Sequence, residues 1–245
     1  MHVGQRSLGF VAAAVLFILT ACSGDPSSEL TIAHVNVIPM TAENLVLEDQ
    51  DVVIRDGRVI AVRAADPSGP TAEQTVDGRG KWLIPGLVDA HVHGIGDPRL
   101  STSDLYLPYV ANGVLQVVNL QASSEIVAQR AELETGKAVG PHLMVARMVD
   151  GSPSMPDSMV AATPDEGRAA VRQVKSEGYD FVKVYTPLNL ETFTAILDEA
   201  RRQGIRVVGH LPLREQAMTE QLLQPGFAMV AHAEEYSYQR TRSQR

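Results

Sequence analysis

The stretch LIPGLVDAHVH, Leu83 to His93, marks the point at which the chain changes from one folding pattern to another. A Pro-Gly turn at 85–86 leads into an apolar run that ends in two histidines, two residues apart. Because alternate residues of a β-strand point to the same side, His91 and His93 would share one face. Two imidazoles on a buried strand are either polar side chains satisfied by backbone partners or ligands of a metal ion.

After this stretch, short apolar strands alternate with segments of helical length. The predicted strands cover residues 87–91, 114–120, 142–146, 181–185, 206–209 and 227–231. The predicted helices cover residues 103–111, 124–135, 164–177, 190–203 and 213–223, and residues 149–163 are predicted to form a long loop. Such alternation is typical of βα units around a parallel sheet, so residues 87–245 are predicted to form an α/β barrel-type domain.

The preceding residues, 30–86, predict a small β subdomain. Two strand-like stretches, LTIAHVNVI (30–38) and DVVIRDGRVIAV (51–62), come first. Within the second, Asp56-Gly57 lies between two apolar alternations and signals a β-hairpin. Residues 64–72 contain prolines and a glycine and are predicted to be a loop, and a short strand is expected at 81–84.

The N-terminal segment has the features of an export signal. Arg6 precedes an apolar stretch at 8–19, which is too short for a membrane span but suits a signal peptide. The residues LTAC, ending at Cys22, resemble the lipobox of bacterial lipoproteins. We expect a lipoprotein signal peptide at 1–22, a linker at 23–29, and a bacterial envelope protein anchored to a membrane surface through lipidated Cys22. The alternative is an ordinary secretory signal in which the cysteine occurs by chance.

Composition excludes one class of partner. The formal net charge is -8, and the chain has no run of lysines and arginines that would contact phosphates, so a nucleic-acid partner is not expected. Cys22 is the only cysteine, which leaves no internal disulfide.

Polar side chains recur at the ends of the later predicted strands. In FVKVY (181–185), Lys183 and Tyr185 share a face opposite to the valines, and His210 and His232 each follow an apolar strand. The carboxyl ends of strands in a parallel barrel converge on one face. These residues are therefore expected to meet His91 and His93, which favours the metal over the structural explanation.

Four motifs, in this order, resemble the amidohydrolase superfamily, and within it the branch of imidazolonepropionase and the Xaa-Pro dipeptidases. They are IPGLVDAHVH (84–93), FVKVY (181–185), GHLP (209–212) and AHAEEY (231–236). The resemblance extends from about Leu30 to Tyr236 and implies an incomplete TIM-like (β/α)8 barrel, with about six strands present, beside a small β-sandwich-type subdomain.

The resemblance also implies the metal ligands. His91 and His93 would bind one divalent ion, His210 and His232 a second, and carboxylated Lys183 would bridge the two, with zinc the expected metal. Water activated by the metals would hydrolyse a carbon-nitrogen bond in a small amide, cyclic amide or peptide substrate. Tyr185 is a candidate for contacting the substrate or its oxyanion, and a core tyrosine with a solvated hydroxyl is the alternative.

Other elements of the family are not found in this sequence. The family barrel has eight strands, and its last strand carries an aspartate that binds metal and acts as general acid or base. Glu234 and Glu235 follow His232 but belong to the wrong strand for that role. We therefore expect a C-terminally truncated barrel with impaired activity and exposed strand edges that favour homo-oligomers. The alternative function is an inactive membrane-anchored lipoprotein fragment with a binding role.

Overall fold

The structure of the chain is a computed structural model that describes residues 29–69, 72, 74–93, 99–152, 154–212, 222–233 and 235. The predicted signal peptide at 1–22, with Cys22, therefore lies outside the described residues, as does most of the predicted helix at 213–223. The chain divides into two units, one ending at Pro85 and the other beginning at Gly86. No helix in the described ranges is both long and apolar enough to cross a membrane.

The described part of the first unit is a small β-sheet. Its strands are β1 (Glu29–Val37), β2 (Leu47–Arg55), β3 (Arg58–Ala64), β4 (Gln74–Asp77) and β5 (Trp82–Leu83). The order is β3-β2-β1-β4, with β5 also on β1. The predicted hairpin is confirmed, because β2 pairs with β3 in antiparallel fashion and both Asp56 and Gly57 have positive φ, as a type I′ turn requires. The sequence did not predict β4, whose residues are all exposed and show no apolar alternation.

The second unit contains the βα pattern. Its strands are β6 (Leu87–Val92), β7 (Val114–Asn119), β8 (His142–Asp150), β9 (Met159–Val160), β10 (Phe181–Val184), β11 (Arg206–Gly209) and β12 (Phe227–Val230). Its helices are α1 (Thr102–Ala111), α2 (Ser124–Glu134), α3 (Pro164–Ser176) and α4 (Leu190–Gln203). The strands form one parallel sheet in the order β12-β11-β10-β8-β7-β6, which curls into a half-barrel. The six predicted strands and the first four predicted helices are confirmed.

The predicted loop at 149–163 is wrong at its start and contains a short strand that was not predicted. Strand β8 continues through Asp150, and β9 then pairs with its end in parallel register. Pairing with β10 and β9 keeps the chain extended to Asp150, whose buried carboxylate then accepts hydrogen bonds from the backbone N–H groups of Gly151 and Met155. These bonds satisfy a carboxylate that the sequence pattern alone assigns to a loop.

The two faces of the sheet bury different side chains. On β10, Val182 and Val184 belong to the large core shared with the helices. Phe181 points to the other side, into a smaller apolar cluster with residues such as Val118 and Val208. Lys183, two residues after Phe181, is on this inner side, as the alternation predicted.

Helices α3 and α4 are joined by a buried carboxylate. Glu199 on α4 is 5% exposed, lies 3.3 Å from the guanidinium of Arg172 on α3, and accepts hydrogen bonds from Arg202 and Gln203. The bonds from Gln203 and Arg202 lower the pKa of Glu199 from 4.5 to about 2. The carboxylate therefore stabilises the fold above its unfolded pKa, and that stabilisation is lost as the pH falls toward the folded value.

We expect Glu199→Gln to lower the urea midpoint of unfolding at pH 7, because the ionised partner of two arginines is lost. The difference in urea midpoint between wild type and variant should narrow as the pH falls from about 5 to about 3. In that range the unfolded wild-type chain takes up a proton at Glu199 while the folded chain keeps the carboxylate ionised. Urea titrations at several pH values measure this difference. A difference in urea midpoint that does not change with pH would show that the charge of Glu199 contributes nothing to stability.

Candidate metal centre

Four histidine side chains cluster at the carboxyl ends of the parallel strands. The Nε2 atoms of His91 and His93 are 2.7 Å apart. The ring centroid of His232 lies 4.6 Å from that of His91 and 4.9 Å from that of His210. Residues that are up to 141 positions apart in the sequence thus form one continuous group of imidazoles.

Lys183 on β10 points into the same region. It is 1% exposed, and its Nζ lies 5.9 Å from the centroid of the Tyr185 ring. Burial lowers the pKa of Lys183 to about 8, and the charge of Glu235 opposes this lowering. A buried amine of this pKa is partly neutral near neutral pH, and the neutral form can react with carbon dioxide.

The environment favours the neutral form of three imidazoles, those of His91, His93 and His210. Burial, followed by the positive charge of Lys183, lowers the pKa of His91 to about 4 and that of His210 to about 3. The same two causes lower the pKa of His93. Neutral imidazole is the form that binds a metal ion, so the environment prepares these three side chains for that role at neutral pH.

A cavity of about 160 Å³ lies beside this cluster. It is lined by His93, Gln121, Met148, Met155, Lys183, Tyr185, His210 and His232. The sequence analysis did not identify Gln121, Met148 or Met155. Gln121 donates a hydrogen bond to the carbonyl of Pro156 and so connects the segments that follow β7 and β8. Gln121 and Met155 follow parallel strands and Met148 lies near the end of β8, which was the available signal, but glutamine and methionine carry no motif of their own.

Glu235 is a further residue that the sequence analysis did not assign to the site. Its Oε1 lies 2.7 Å from Nδ1 of His210, and both side chains are buried. The sequence indicated only that Glu235 does not replace the family's aspartate, because it follows the wrong strand for that role. The structure instead brings it to the outer nitrogen of a predicted metal ligand.

Gly209 allows the chain to bring His210 into this position. Its φ is 128°, and a Cβ at Gly209 would lie 2.2 Å from the backbone oxygen of Val184. The N–H of His210 donates to the same oxygen, and the carbonyl of Gly209 accepts from Ala231. Only glycine fits between β10 and β12 at this point.

We expect Gly209→Ala to destabilise the fold by about 2 kcal/mol or more, because the added methyl group meets backbone and not a movable side chain. Urea unfolding measures the loss. Gly204→Ala is the matched control, since Gly204 has a φ of 62° but nothing within 4 Å of its Cβ position. Equal costs for the two variants would contradict the close approach at Gly209.

No protein family model matches the chain. A 5-methylthioadenosine/S-adenosylhomocysteine deaminase of Bacillus cereus is 25% identical over 218 residues, which are 76% of this chain and 50% of the deaminase. The imidazolonepropionase of Ralstonia nicotianae is 45% identical over 49 residues, which are 19% of this chain and 12% of that enzyme.

A solved structure of a Xaa-Pro dipeptidase with methionine in its active site has the same fold. It matches with a TM-score of 0.66 and 18% identity, over 88% of this chain and 65% of the dipeptidase. The sequence matches and the curled parallel half-barrel agree with the motifs described above. These similarities support a place in the amidohydrolase superfamily. The chain spans about half the length of the deaminase it matches.

The side chains of the cluster have the chemistry to bind a divalent metal. Imidazole nitrogens and a carbamate formed on a buried lysine are donors that suit zinc and related ions. In the ranges that the structure describes, no group of three or more His, Cys, Asp or Glu side chains is already arranged around a metal position. His91 and His93 contact each other through Nε2, and this contact has to open before both can face one ion.

Proposed function

We propose that the chain carries the metal centre of a hydrolase that acts on carbon-nitrogen bonds. His91 and His93 would hold one divalent ion and His210 and His232 a second, with Lys183 between them as a carbamate. The observation that carries this proposal is the meeting of four imidazoles and one buried amine beside one cavity. Zinc is the first metal to test.

The residues of the chain prepare the site for that chemistry. The neutral amine of Lys183 adds to the carbon of CO2 and releases one proton, which gives a carbamate with two oxygens. Bound divalent ions supply Lewis acidity, which polarises a carbonyl group and lowers the pKa of water. Tyr185 lines the cavity with its ring 4.3 Å from that of His210, and we assign its hydroxyl to contact with the substrate oxygen.

The size and lining of the cavity favour a small substrate with an apolar group. Its volume of about 160 Å³ is below the range usual for drug-sized ligands. Met148 and Met155 present polarizable thioether side chains that adapt to varied apolar groups. These features support a short peptide, amide or cyclic amide, and the methionine bound in the related Xaa-Pro dipeptidase supports the same class.

We expect Met155→Ala to shift substrate preference toward larger apolar side chains by about tenfold in kcat/KM, because a shorter side chain widens the cavity. A panel of N-acyl amino acids and dipeptides of increasing side-chain size measures the shift. Met40→Ala is the control, since Met40 is exposed and belongs to the first unit. An unchanged order of preference would remove Met155 from the substrate pocket.

Hydrolysis assays test the proposed activity itself. Purified chain is loaded with zinc and bicarbonate and assayed against dipeptides, N-acyl amino acids and cyclic amides, with chelator-treated protein as the control. The proposal expects chelator-sensitive release of amine from at least one class. If substrates bind but none is hydrolysed, the chain has a binding role, which is the alternative function.

The lipid anchor at Cys22 is proposed from the LTAC pattern alone. It would place the protein at a membrane surface of the bacterial envelope. Labelling of cells with radioactive palmitate tests it, because the label should appear on the wild-type chain and disappear with Cys22→Ala. Equal labelling of the two would leave an ordinary secretory signal as the explanation.

A further inference from the structure

His210 is the imidazole in the cluster whose outer nitrogen contacts a buried carboxylate. Its Nδ1 lies 2.7 Å from Oε1 of Glu235. The two residues are 8% and 4% exposed. A charge-assisted hydrogen bond of this length, away from water, strongly constrains both groups.

The remaining neighbours of the ring hold its plane. The ring of Tyr185 packs edge-on at 4.3 Å between centroids, and the ring of His232 lies at 4.9 Å on a tilted plane. Packing of this kind fixes where the ring is, but aromatic neighbours do not determine which of its nitrogens carries the hydrogen. The hydrogen bond to Glu235 makes that choice.

We infer that Glu235 is a positioning residue that holds His210 as the tautomer with hydrogen on Nδ1, so that Nε2 keeps its lone pair for a metal ion in the cavity. An ionised carboxylate can only accept, so Nδ1 must donate. His210 itself lines the cavity, and Nε2 is the nitrogen left to face it. Outer carboxylates that orient histidine ligands in this way raise the affinity for metal. The inference rests on the proposed metal centre and adds a residue to it.

The tautomer can be measured in the metal-free wild-type protein. In ¹⁵N-labelled, metal-free wild-type protein, long-range proton-nitrogen spectra distinguish a protonated ring nitrogen from an unprotonated one, and His210→Asn assigns the signals. The inference expects a protonated Nδ1 and an unprotonated Nε2. A protonated Nε2 would overturn it.

Metal affinity tests the consequence. Co²⁺ binding to the full chain in bicarbonate buffer is measured by competition with a chelating dye, together with the visible spectrum of the bound ion. Glu235→Ala should weaken Co²⁺ binding by about 10- to 100-fold and alter the spectrum. Glu235→Gln should recover part of the affinity, because its amide oxygen can accept the same hydrogen bond.

Glu199→Ala is the matched control, since it also removes a buried carboxylate but lies on α4 among arginines. It should lower stability and leave Co²⁺ affinity unchanged. Equal affinity of wild type and Glu235→Ala would overturn the inference. If Glu235→Ala does not fold, the Co²⁺ affinity of Glu235→Gln and the tautomer spectra of the wild-type protein test the inference. A wild-type chain that binds no Co²⁺ counts against the proposed function, and the tautomer spectra then test Glu235 alone.

Discussion

Lys183→Met is expected to remove metal binding while making the metal-free protein more stable. The amine is buried, so the fold bears a desolvation cost that the charge of Glu235 and the ring of Tyr185, 5.9 Å from Nζ, offset only in part. Methionine has similar length and volume and no charge. The gain in the free energy of unfolding should be about 1 to 3 kcal/mol, measured with urea in the presence of a chelator.

The same variant should lose the carbamate bridge and with it most of the bound metal. Metal content after loading with zinc and bicarbonate should fall from on the order of two equivalents to below about one. Lys175→Met is the control, because Lys175 is exposed on α3 and should change neither quantity. Loss of stability in Lys183→Met would mean that the amine has a structural role in the core.

The double substitution His91→Asn and His93→Asn is expected to abolish hydrolysis. It removes both histidines that precede the first helix of the barrel, and the proposal assigns them to one ion. We expect kcat/KM to fall by at least about a thousandfold, since the chemistry depends on metal. The assay uses whichever substrate in the panel the wild-type chain hydrolyses best.

His142→Asn is the matched control for this pair. His142 is exposed at the first residue of β8, the opposite end of the strand from the cluster. Its replacement should leave both metal content and hydrolysis within about twofold of wild type. A double variant that keeps its metal would show that His91 and His93 are satisfied as structural histidines.

The sequence predicted the parallel half-barrel because its strands are short apolar runs with regular helical segments between them. The predicted site residues came together for a related reason. A polar residue at the end of a buried strand is conspicuous in the sequence, and parallel topology brings such ends to one face. Lys183 shows this most clearly, since strand alternation alone places it on the inner side with Phe181.

Residues that depend on long-range contacts were not predictable in this way. Glu235 reaches His210 across 25 positions, and no local pattern marks that contact. Gln121 and Met155 reach the cavity through segments whose paths are set by tertiary packing. The extension of β8 to Asp150 depends on pairing with β9 and β10. Self-association and the lipid anchor stay predictions.

Metal analysis of the purified chain tests the central claim most directly. The protein is refolded with zinc and bicarbonate, freed of unbound ions, and analysed by plasma mass spectrometry. We expect on the order of two equivalents of zinc per chain, and fewer when Lys183 or the pair of His91 and His93 is replaced. Less than about a tenth of an equivalent in the folded wild-type chain would contradict a metal centre at these strand ends.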